Sequence, residues 1–238
     1  MKSLHIITPV KDSIESTIDT VKAIMSSDIK VPFTYTIYND FSTPENTQKL
    51  KEASAQYGFT LVNLEDITNH PSPNYLLVLQ KTQKEAIEAD AGLLIVESDV
   101  TVQKHTLQAL FDGATERPDC GMAAAVTTDA QGEVNFPYIY AKNKEKRVYD
   151  EKKRFSFCCT LLTPTFLKAF DFHLLDPTKN WFDVTISHES LKKGFHNYLF
   201  MNLPVLHRPH GSRPWKQLKY TNPLKYYWLK FTKGLDKI

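Results

Sequence analysis

The chain has 238 residues and a formal net charge of +2, with 42% apolar and 24% charged residues. This composition is typical of a soluble globular protein and excludes a disordered or collagen-like chain. No apolar run approaches the roughly 18 residues of a membrane span, and no signal peptide precedes the first predicted strand, so we expect a cytoplasmic protein. Its cysteines are predicted to be buried thiols, because their spacing suggests neither a disulfide framework nor a structural zinc site. They are Cys120, Cys158 and Cys159.

Short apolar runs alternate with amphipathic segments from the first residues onward, which predicts an α/β fold with parallel strands connected by helices. We expect the first strand to stop at Pro9, and Thr43-Pro44 supplies the capping residue and first-turn proline of a helix. The run 92–96 is wholly apolar, as in a buried central strand. In chain order, the predicted elements are strand 4–7, helix 14–25, strand 33–38, helix 44–57, strand 59–63, helix 75–89 and strand 92–96.

The second half of the chain is less regular. Strands are predicted at 122–126 and 136–140, followed by a basic loop over 142–154. A helix is predicted from Phe182 to the lysines before Gly194, since glycine favours a C-terminal cap and lysines complement the helix dipole. Asp183 then lies at the start of that helix.

Polar side chains follow three of the predicted strands, at Thr8, at Asn39 and Asp40, and at Glu97 and Asp99. In an open α/β sheet, ligands bind outside the carboxyl ends of the strands, so we expect these side chains to meet in one crevice. Paired carboxylates there suit Mg²⁺ or Mn²⁺, which prefer oxygen ligands. A solvated turn would explain the two acids equally well.

Two further features could carry chemistry. Asp183 is placed to act as a general base on a hydroxyl, although a helix-capping role explains its position more simply. The segment 207–213 contains His207 and His210 together with arginines, which we interpret as a flexible loop able to approach a metal or a phosphate.

Four short motifs in this order resemble the family 2 glycosyltransferases with the GT-A fold, over roughly residues 4–213. The resemblance implies a GT-A-type, mostly parallel central sheet flanked by helices in a domain over 1–213, with a basic aromatic extension over 214–238. The motifs are Ile6-Ile7-Thr8-Pro9-Val10, Tyr38-Asn39-Asp40-Phe41-Ser42-Thr43, Val96-Glu97-Ser98-Asp99-Val100 and Phe182-Asp183-Val184-Thr185-Ile186-Ser187, the last followed by Lys192-Lys193-Gly194-Phe195.

The resemblance also implies roles for individual residues. Asp99 occupies the metal-binding position of the family's D-x-D motif, and Asp183 occupies the catalytic-base position. Asn39 and Glu97 each replace the usual aspartate, which leaves the nucleobase preference open and alters the geometry beside the metal. A later histidine that approaches the metal matches His207 best and His210 second. The donor-nucleotide contacts implied are Thr8, Pro9, Asn39, Asp40, Glu97 and Ser98, and Glu97 is a second possible metal ligand.

The function implied is a metal-dependent, hexosyltransferase-type glycosyltransferase that uses Mn²⁺ or Mg²⁺. It would move sugar from a nucleotide-diphosphate sugar, with UDP-sugar favoured, to a hydroxyl of a glycan or lipid-linked acceptor. Inversion at the anomeric carbon and a role in cell-envelope polysaccharide or glycoconjugate synthesis are expected. The rival hypothesis is a non-catalytic nucleotide- or glycan-binding protein, motivated by the departures at Asn39, Glu97 and Phe182. A nucleotidyltransferase and a dinucleotide-dependent oxidoreductase are disfavoured, because their glycine-rich loops are absent.

The tail after Trp215 interleaves aromatic residues with lysines. This composition suits an interfacial amphipathic helix on the inner face of an anionic membrane, although packing on the domain explains the aromatic residues equally well. Nucleic-acid binding is not expected, since no recognised module is present. The tail lysines are Lys216, Lys219, Lys225, Lys230, Lys233 and Lys237, against the single acid Asp236.

Overall fold

A computed structural model describes residues 1–208, 218 and 222–232 of the chain. Within these residues, nine strands form one mixed sheet. The strands are β1 (Ser3–Val10), β2 (Phe33–Asn39), β3 (Thr60–Asn63), β4 (Ala91–Val96), β5 (Val100–Thr101), β6 (Cys120–Thr128), β7 (Val148–Asp150), β8 (Cys159–Leu162) and β9 (His196–His207).

The strand order is β3-β2-β1-β4-β8-β6-β9-β5, and β7 pairs with β9 outside this path. The first four strands of that order are parallel, so the carboxyl ends of β1, β2 and β4 open onto the same edge. Strand β8 runs antiparallel between β4 and β6, and β9 runs parallel to β6. The predicted α/β fold with a mostly parallel central sheet flanked by helices is therefore confirmed.

Helices cover both faces of the sheet. Apolar side chains of α1, α2 and α4 pack into one core cluster, and those of α3, α5 and α6 pack into a second cluster on the other face. The helices are α1 (Ile14–Met25), α2 (Pro44–Tyr57), α3 (Tyr75–Glu88), α4 (Thr106–Thr115), α5 (Pro164–Ala169), α6 (Phe182–Lys192) and α7 (Pro223–Thr232).

The caps predicted at Thr43-Pro44 and Gly194 are present, and Gly58 supplies one that was not predicted. The hydroxyl of Thr43 accepts a hydrogen bond from the backbone N–H of Asn46 at 3.3 Å, and Pro44 opens α2. Gly58 ends α2 with φ of 80°, and Gly194 follows α6 with φ of 83°. Both glycines occupy the left-handed region in which a Cβ atom would be strained.

Three predictions about the loops are wrong. Strand β1 continues through Pro9, because the backbone N–H of Asp40 donates to the carbonyl of Val10 at 2.8 Å and extends the contact with β2. The predicted strand 136–140 is a 3-10 turn at Ile139–Ala141 instead, preceded by the sheet-breaking Pro137. The basic loop 142–154 contains β7, which pairs with β9.

Strand β9 was not predicted from the sequence, and this omission misplaced His207. The residue does not lie in a flexible loop, since it ends β9 and is only 5% exposed. The alternating polar positions of β9 hide its length, because the strand is buried only at every second residue over much of its course. None of the helices in the described residues is long and apolar enough to cross a membrane.

Candidate functional site

The loops that follow β1 and β2 are joined to each other by hydrogen bonds. Asp12 and Phe41 both adopt positive φ, at 54° and 56°, a conformation that costs a non-glycine residue about 1–2 kcal/mol. The Lys11 ammonium donates to the carbonyl of Phe41 at 2.8 Å, and the Asp12 carboxylate accepts from the N–H of Thr43 at 2.7 Å. These contacts hold the backbone of both loops in a strained shape beside the crevice.

Thr8 and Asn39, two predicted donor contacts on these strands, are buried and bonded to other protein groups. The hydroxyl of Thr8 lies 3.1 Å from that of Tyr35, and the amide of Asn39 donates to Thr47 and Asn63 at 3.0 Å each. Pro9, the neighbour of Thr8, is partly exposed. Their contacts with a nucleotide stay a prediction.

Asp40 ties the end of β2 to the start of α3. Its carboxylate accepts hydrogen bonds from the Ser72 hydroxyl at 2.7 Å, the Asn74 N–H at 2.9 Å and the Asn74 side-chain amide at 2.8 Å. The side chain thereby fixes the loop that precedes Tyr75, the first residue of α3. A nucleotide contact by Asp40 also stays a prediction.

The motif Glu97-Ser98-Asp99 follows the fully buried strand β4, as predicted. The backbone N–H of Glu97 donates to the carbonyl of Cys158 at 3.0 Å, and the Ser98 hydroxyl lies 3.0 Å from that of Ser13. Asp99 is buried, and its carboxylate lies 3.6 Å from Nε2 of His207. The turn is therefore not a solvated one, since its second acid faces an imidazole inside the protein.

His207 is oriented for use of Nε2. Its Nδ1 lies 2.7 Å from the carbonyl of Phe136, which can only accept, so Nδ1 carries the proton and Nε2 faces Asp99. Burial alone would lower the pKa of His207, but the hydrogen bond and charge of Asp99 and the charge of Glu97 outweigh it and raise that pKa above its ordinary value. A carboxylate beside an imidazole with a fixed tautomer fits a divalent metal site.

Cys158 joins the same site, which the sequence did not indicate. Its Sγ lies 3.1 Å from a carboxylate oxygen of Glu97 and 4.0 Å from Nε2 of His207. Burial, together with the charge of Glu97, raises the pKa of the thiol well above its usual range. The prediction that the cysteines are buried free thiols is confirmed, but it missed that one of them contacts Glu97.

Asp183 lies in the first turn of α6, where the helix prediction placed it. Its carboxylate accepts a hydrogen bond from the N–H of Val184 at 2.9 Å and another from the side chain of Ser156. Burial raises the pKa of Asp183 to about 6, a rise assisted by the charge of Glu97 and opposed by these hydrogen bonds and by Arg154. A carboxylate with this pKa is suited to accept a proton near neutral pH.

Tyr75 is a second residue that the sequence did not single out. Its hydroxyl is buried and has no hydrogen-bond partner among the described residues. Burial and the charges of Glu97 and Asp183 raise the pKa of the phenol well above its usual range. The only signal in the sequence was its place at the predicted start of a helix after Pro71 and Pro73.

The structure thus brings Asp99 and His207 together, and the charge of Glu97 acts on both His207 and Asp183. The convergence of Thr8, Asn39 and Asp40 with these acids around one ligand stays a prediction. His210 lies outside the described residues. The residues that the sequence left out are Tyr75, Cys158, Ser156 and Arg154.

Comparison with known proteins supports the fold through structure alone. No family model and no curated protein sequence matches the chain. The chain superposes on residues 1–349 of TarS from S. aureus with a TM-score of 0.66 and 15% identity, covering 87% of this chain and 60% of that one. The same TarS fragment is also known in complex with UDP-GlcNAc.

Two further solved structures are similar. GalNAc-T7 with UDP, GalNAc and Mn²⁺ gives a TM-score of 0.65 at 11% identity, covering 87% of this chain and 44% of that one. The mannosyltransferase PcManGT from Pyrobaculum calidifontis, in complex with GDP-Man and Mn²⁺, gives 0.63 at 14% identity, covering 97% and 64%. The chain therefore has the GT-A fold, and it spans less than two thirds of each of these proteins.

Proposed function

We propose that the chain is a metal-dependent glycosyltransferase that moves a sugar from a nucleotide-diphosphate sugar to an acceptor hydroxyl. The observation that carries this proposal is that the charge of Glu97 acts on both the carboxylate–imidazole pair of Asp99 and His207 and the raised-pKa carboxylate of Asp183 in a GT-A fold. The neighbours crystallised with UDP-sugar or GDP-sugar donors support a nucleotide sugar as donor.

Asp99 and His207 would hold Mn²⁺ or Mg²⁺ through one carboxylate oxygen and Nε2. When bound, such an ion neutralises charge on the departing diphosphate as a Lewis acid. The hydrogen bond from His207 Nδ1 to Phe136 keeps the ring fixed and leaves Nε2 for this task. Mn²⁺ in two of the neighbouring structures agrees with a divalent ion.

Asp183 would remove the proton of the acceptor hydroxyl as it attacks the anomeric carbon. This role fits a single displacement with inversion, because one base on the acceptor side is sufficient. The elevated pKa of Asp183 keeps it basic enough to take a proton while it remains largely ionised above pH 6. The hydrogen bonds from Val184 and Ser156 would orient its carboxylate.

The donor nucleotide would occupy the crevice beside the ends of β1, β2 and β4. Its predicted contacts are Thr8, Pro9, Asn39, Asp40, Glu97 and Ser98. UDP is the favoured nucleotide. The buried amide of Asn39 already donates to Thr47 and Asn63, so it would shape the pocket wall that selects the base.

A donor screen tests the proposed function. The purified chain is incubated with Mn²⁺, a panel of UDP- and GDP-sugars and candidate glycan acceptors, while release of the nucleoside diphosphate is followed. We expect Mn²⁺-dependent release with at least one donor. Tight donor binding by calorimetry without release from any donor would favour the non-catalytic binding protein, which the replacements at Asn39, Glu97 and Phe182 also motivate.

We further propose that α7 lies on an anionic membrane surface, which would favour a lipid-linked or envelope glycan acceptor. Leu224, Trp228 and Phe231 lie near one face of the helix and are 85%, 63% and 87% exposed. Lys225 and Lys230 supply positive charge beside this face, as interfacial helices require. Tyr226 is buried, which would anchor the helix.

Vesicle co-sedimentation measures this contact. The intact chain should sediment with vesicles that contain phosphatidylserine and remain in solution with neutral vesicles. Replacing Trp228 and Phe231 by serine should abolish sedimentation. Equal sedimentation of this variant and the intact chain would reject the role of α7.

A further inference from the structure

Three potential metal ligands of different chemistry converge beside the predicted donor metal. Glu97, Cys158 and His207 each offer one ligand atom, and these atoms all lie within 4.8 Å of one another. The Sγ of Cys158 is 3.1 Å from Glu97 and 4.0 Å from His207 Nε2. Cys158 and His207 are both buried, and Glu97 is partly exposed, so the cluster is accessible from the Glu97 side.

The spacing fits a small tetrahedral ion. Around zinc, with bonds of about 2.3 Å to sulfur and about 2.0 Å to nitrogen or oxygen, neighbouring ligand atoms lie roughly 3.5 Å apart. The two sulfur distances in the cluster bracket this value. The third distance, between Glu97 and the ring nitrogen of His207, is at most 4.8 Å, so the three ligand atoms lie within reach of one ion.

The chemistry of the three ligand atoms also determines which ion they prefer. A thiolate is a soft ligand, so sulfur with imidazole and carboxylate favours zinc over magnesium or manganese, which prefer oxygen. Asp99, by contrast, offers oxygen only, and the two predicted sites meet at Nε2 of His207. A single nitrogen lone pair cannot bind two ions at once.

We propose that Glu97, Cys158 and His207 form a binding site for a zinc-class divalent cation, and that this cation excludes the Mn²⁺ of the donor site through the shared Nε2 of His207. The exclusion of Mn²⁺ rests on the proposed function, whereas the zinc-class site itself does not. On binding, the thiol of Cys158 releases its proton to solvent as the sulfur–metal bond forms. A cell or a buffer rich in zinc would then hold the enzyme in a form that lacks the donor metal.

Cobalt(II) reports on the sulfur ligand directly. The metal-free full-length protein is titrated with Co²⁺, and thiolate coordination gives a sulfur-to-metal charge-transfer band in the near ultraviolet. We expect the band in the wild type, its loss in Cys158→Ser and its retention in Cys159→Ala, which removes the adjacent buried thiol. Added Zn²⁺ should abolish the band, and Cys158→Ser should bind Zn²⁺ at least about 10–100-fold more weakly.

The absence of a band in the folded wild type would overturn the proposal, as would a band that persists in Cys158→Ser. If that variant fails to fold, Cys158→Ala takes its place, because its small apolar side chain suits the buried position and cannot bind a cation; a cobalt band that persists in folded Cys158→Ala would overturn the site. Electron paramagnetic resonance of Mn²⁺ tests the exclusion: Zn²⁺ should release bound Mn²⁺, and simultaneous binding would overturn it. If the wild type shows the cobalt band but binds no Mn²⁺, the result contradicts the proposed function and leaves the zinc-class site standing.

Discussion

The polar groups on the two sides of the candidate site differ in how they are paired. On one side, the loop network of residues 10–13, 39–43 and 72–74 bonds its polar groups to one another, and Asp40 accepts three hydrogen bonds. On the other side, the charges of the acid cluster of Glu97, Asp99 and Asp183 act on Cys158 and Tyr75. Burial and neighbouring carboxylates raise the pKa of Asp183, Cys158 and Tyr75 together.

This contrast indicates which side a bound ligand would stabilise more. The loop network pairs its polar groups internally, so it supplies shape. The acid cluster concentrates negative charge where solvent is scarce, so a bound cation would lower its free energy. Functional sites commonly retain such unfavourable charge at the expense of stability. Substitutions on the two sides should therefore differ in both activity and stability.

The largest expected effect is on catalysis at the acid cluster. Asp183→Asn should lower kcat by about 10³-fold with the donor KM little changed, since an amide cannot accept the acceptor proton. Steady-state kinetics with the donor found by screening measures the change. Asp176→Asn, in an exposed loop before α6, is the matched control and should keep full activity. A kcat for Asp183→Asn within about threefold of wild type would disprove its role as base.

Donor binding should show the next largest effect. Asp99→Asn should weaken Mn²⁺-dependent binding of UDP by about 100-fold, because a neutral amide is a poor ligand for a hard cation. Isothermal calorimetry at fixed Mn²⁺ gives the affinity. Asp112→Asn, on the exposed face of α4, should bind like wild type. Equal affinities for the Asp99 and Asp112 variants would reject Asp99 as the metal ligand.

Substitutions in the acid cluster and in the loop network should change the free energy of unfolding in opposite directions. The pKa of Asp183 rises from 3.8 to about 6 on folding, so its ionisation costs stability above pH 6 and nothing below pH 4. Asp183→Asn should therefore stabilise the protein at pH 8 by up to about 3 kcal/mol, less any solvent screening. The gain should disappear as the pH falls through 6 towards 4.

Asp40→Asn tests the stability of the loop network. The amide has a single acceptor oxygen for the donors of Ser72 and Asn74, so the variant should lose about 1–3 kcal/mol at pH 8. Urea denaturation of both variants and the wild type at pH 4 and pH 8 measures the free energies of unfolding. Loss of stability in both variants at pH 8 would contradict the distinction between the loop network and the acid cluster.

The sequence predicted the half of the site that local patterns encode. The apolar run of β4 followed by Glu97 and Asp99, and the capped start of α6 at Asp183, are read over a few neighbouring residues. The strand-end rule then placed Asp40 at the same edge of the sheet as Glu97 and Asp99, because parallel pairing of β1, β2 and β4 brings their carboxyl ends together.

The rest depends on contacts between distant parts of the chain. Cys158 reaches Glu97 only because β8 inserts antiparallel beside β4, and no periodicity in the sequence indicates that insertion. His207 was matched to the metal by resemblance, but its burial follows from β9, whose mixed polar pattern resembled a loop. Tyr75 enters the site through the loop that Asp40 organises.

The smallest expected effect is a shift in the pH dependence of kcat/KM. If Asp183 is the base, kcat/KM should rise with pH through about 6 and level off above it, as the carboxylate loses its proton. The positive charge of Arg154 lowers the pKa of Asp183, so Arg154→Gln should move this limb to higher pH. The move should stay under about one pH unit and shrink in high salt, because Arg154 is exposed. Arg147→Gln, an exposed change at the edge of β7, should leave the limb in place, and a shift to lower pH in Arg154→Gln would show that another group controls it.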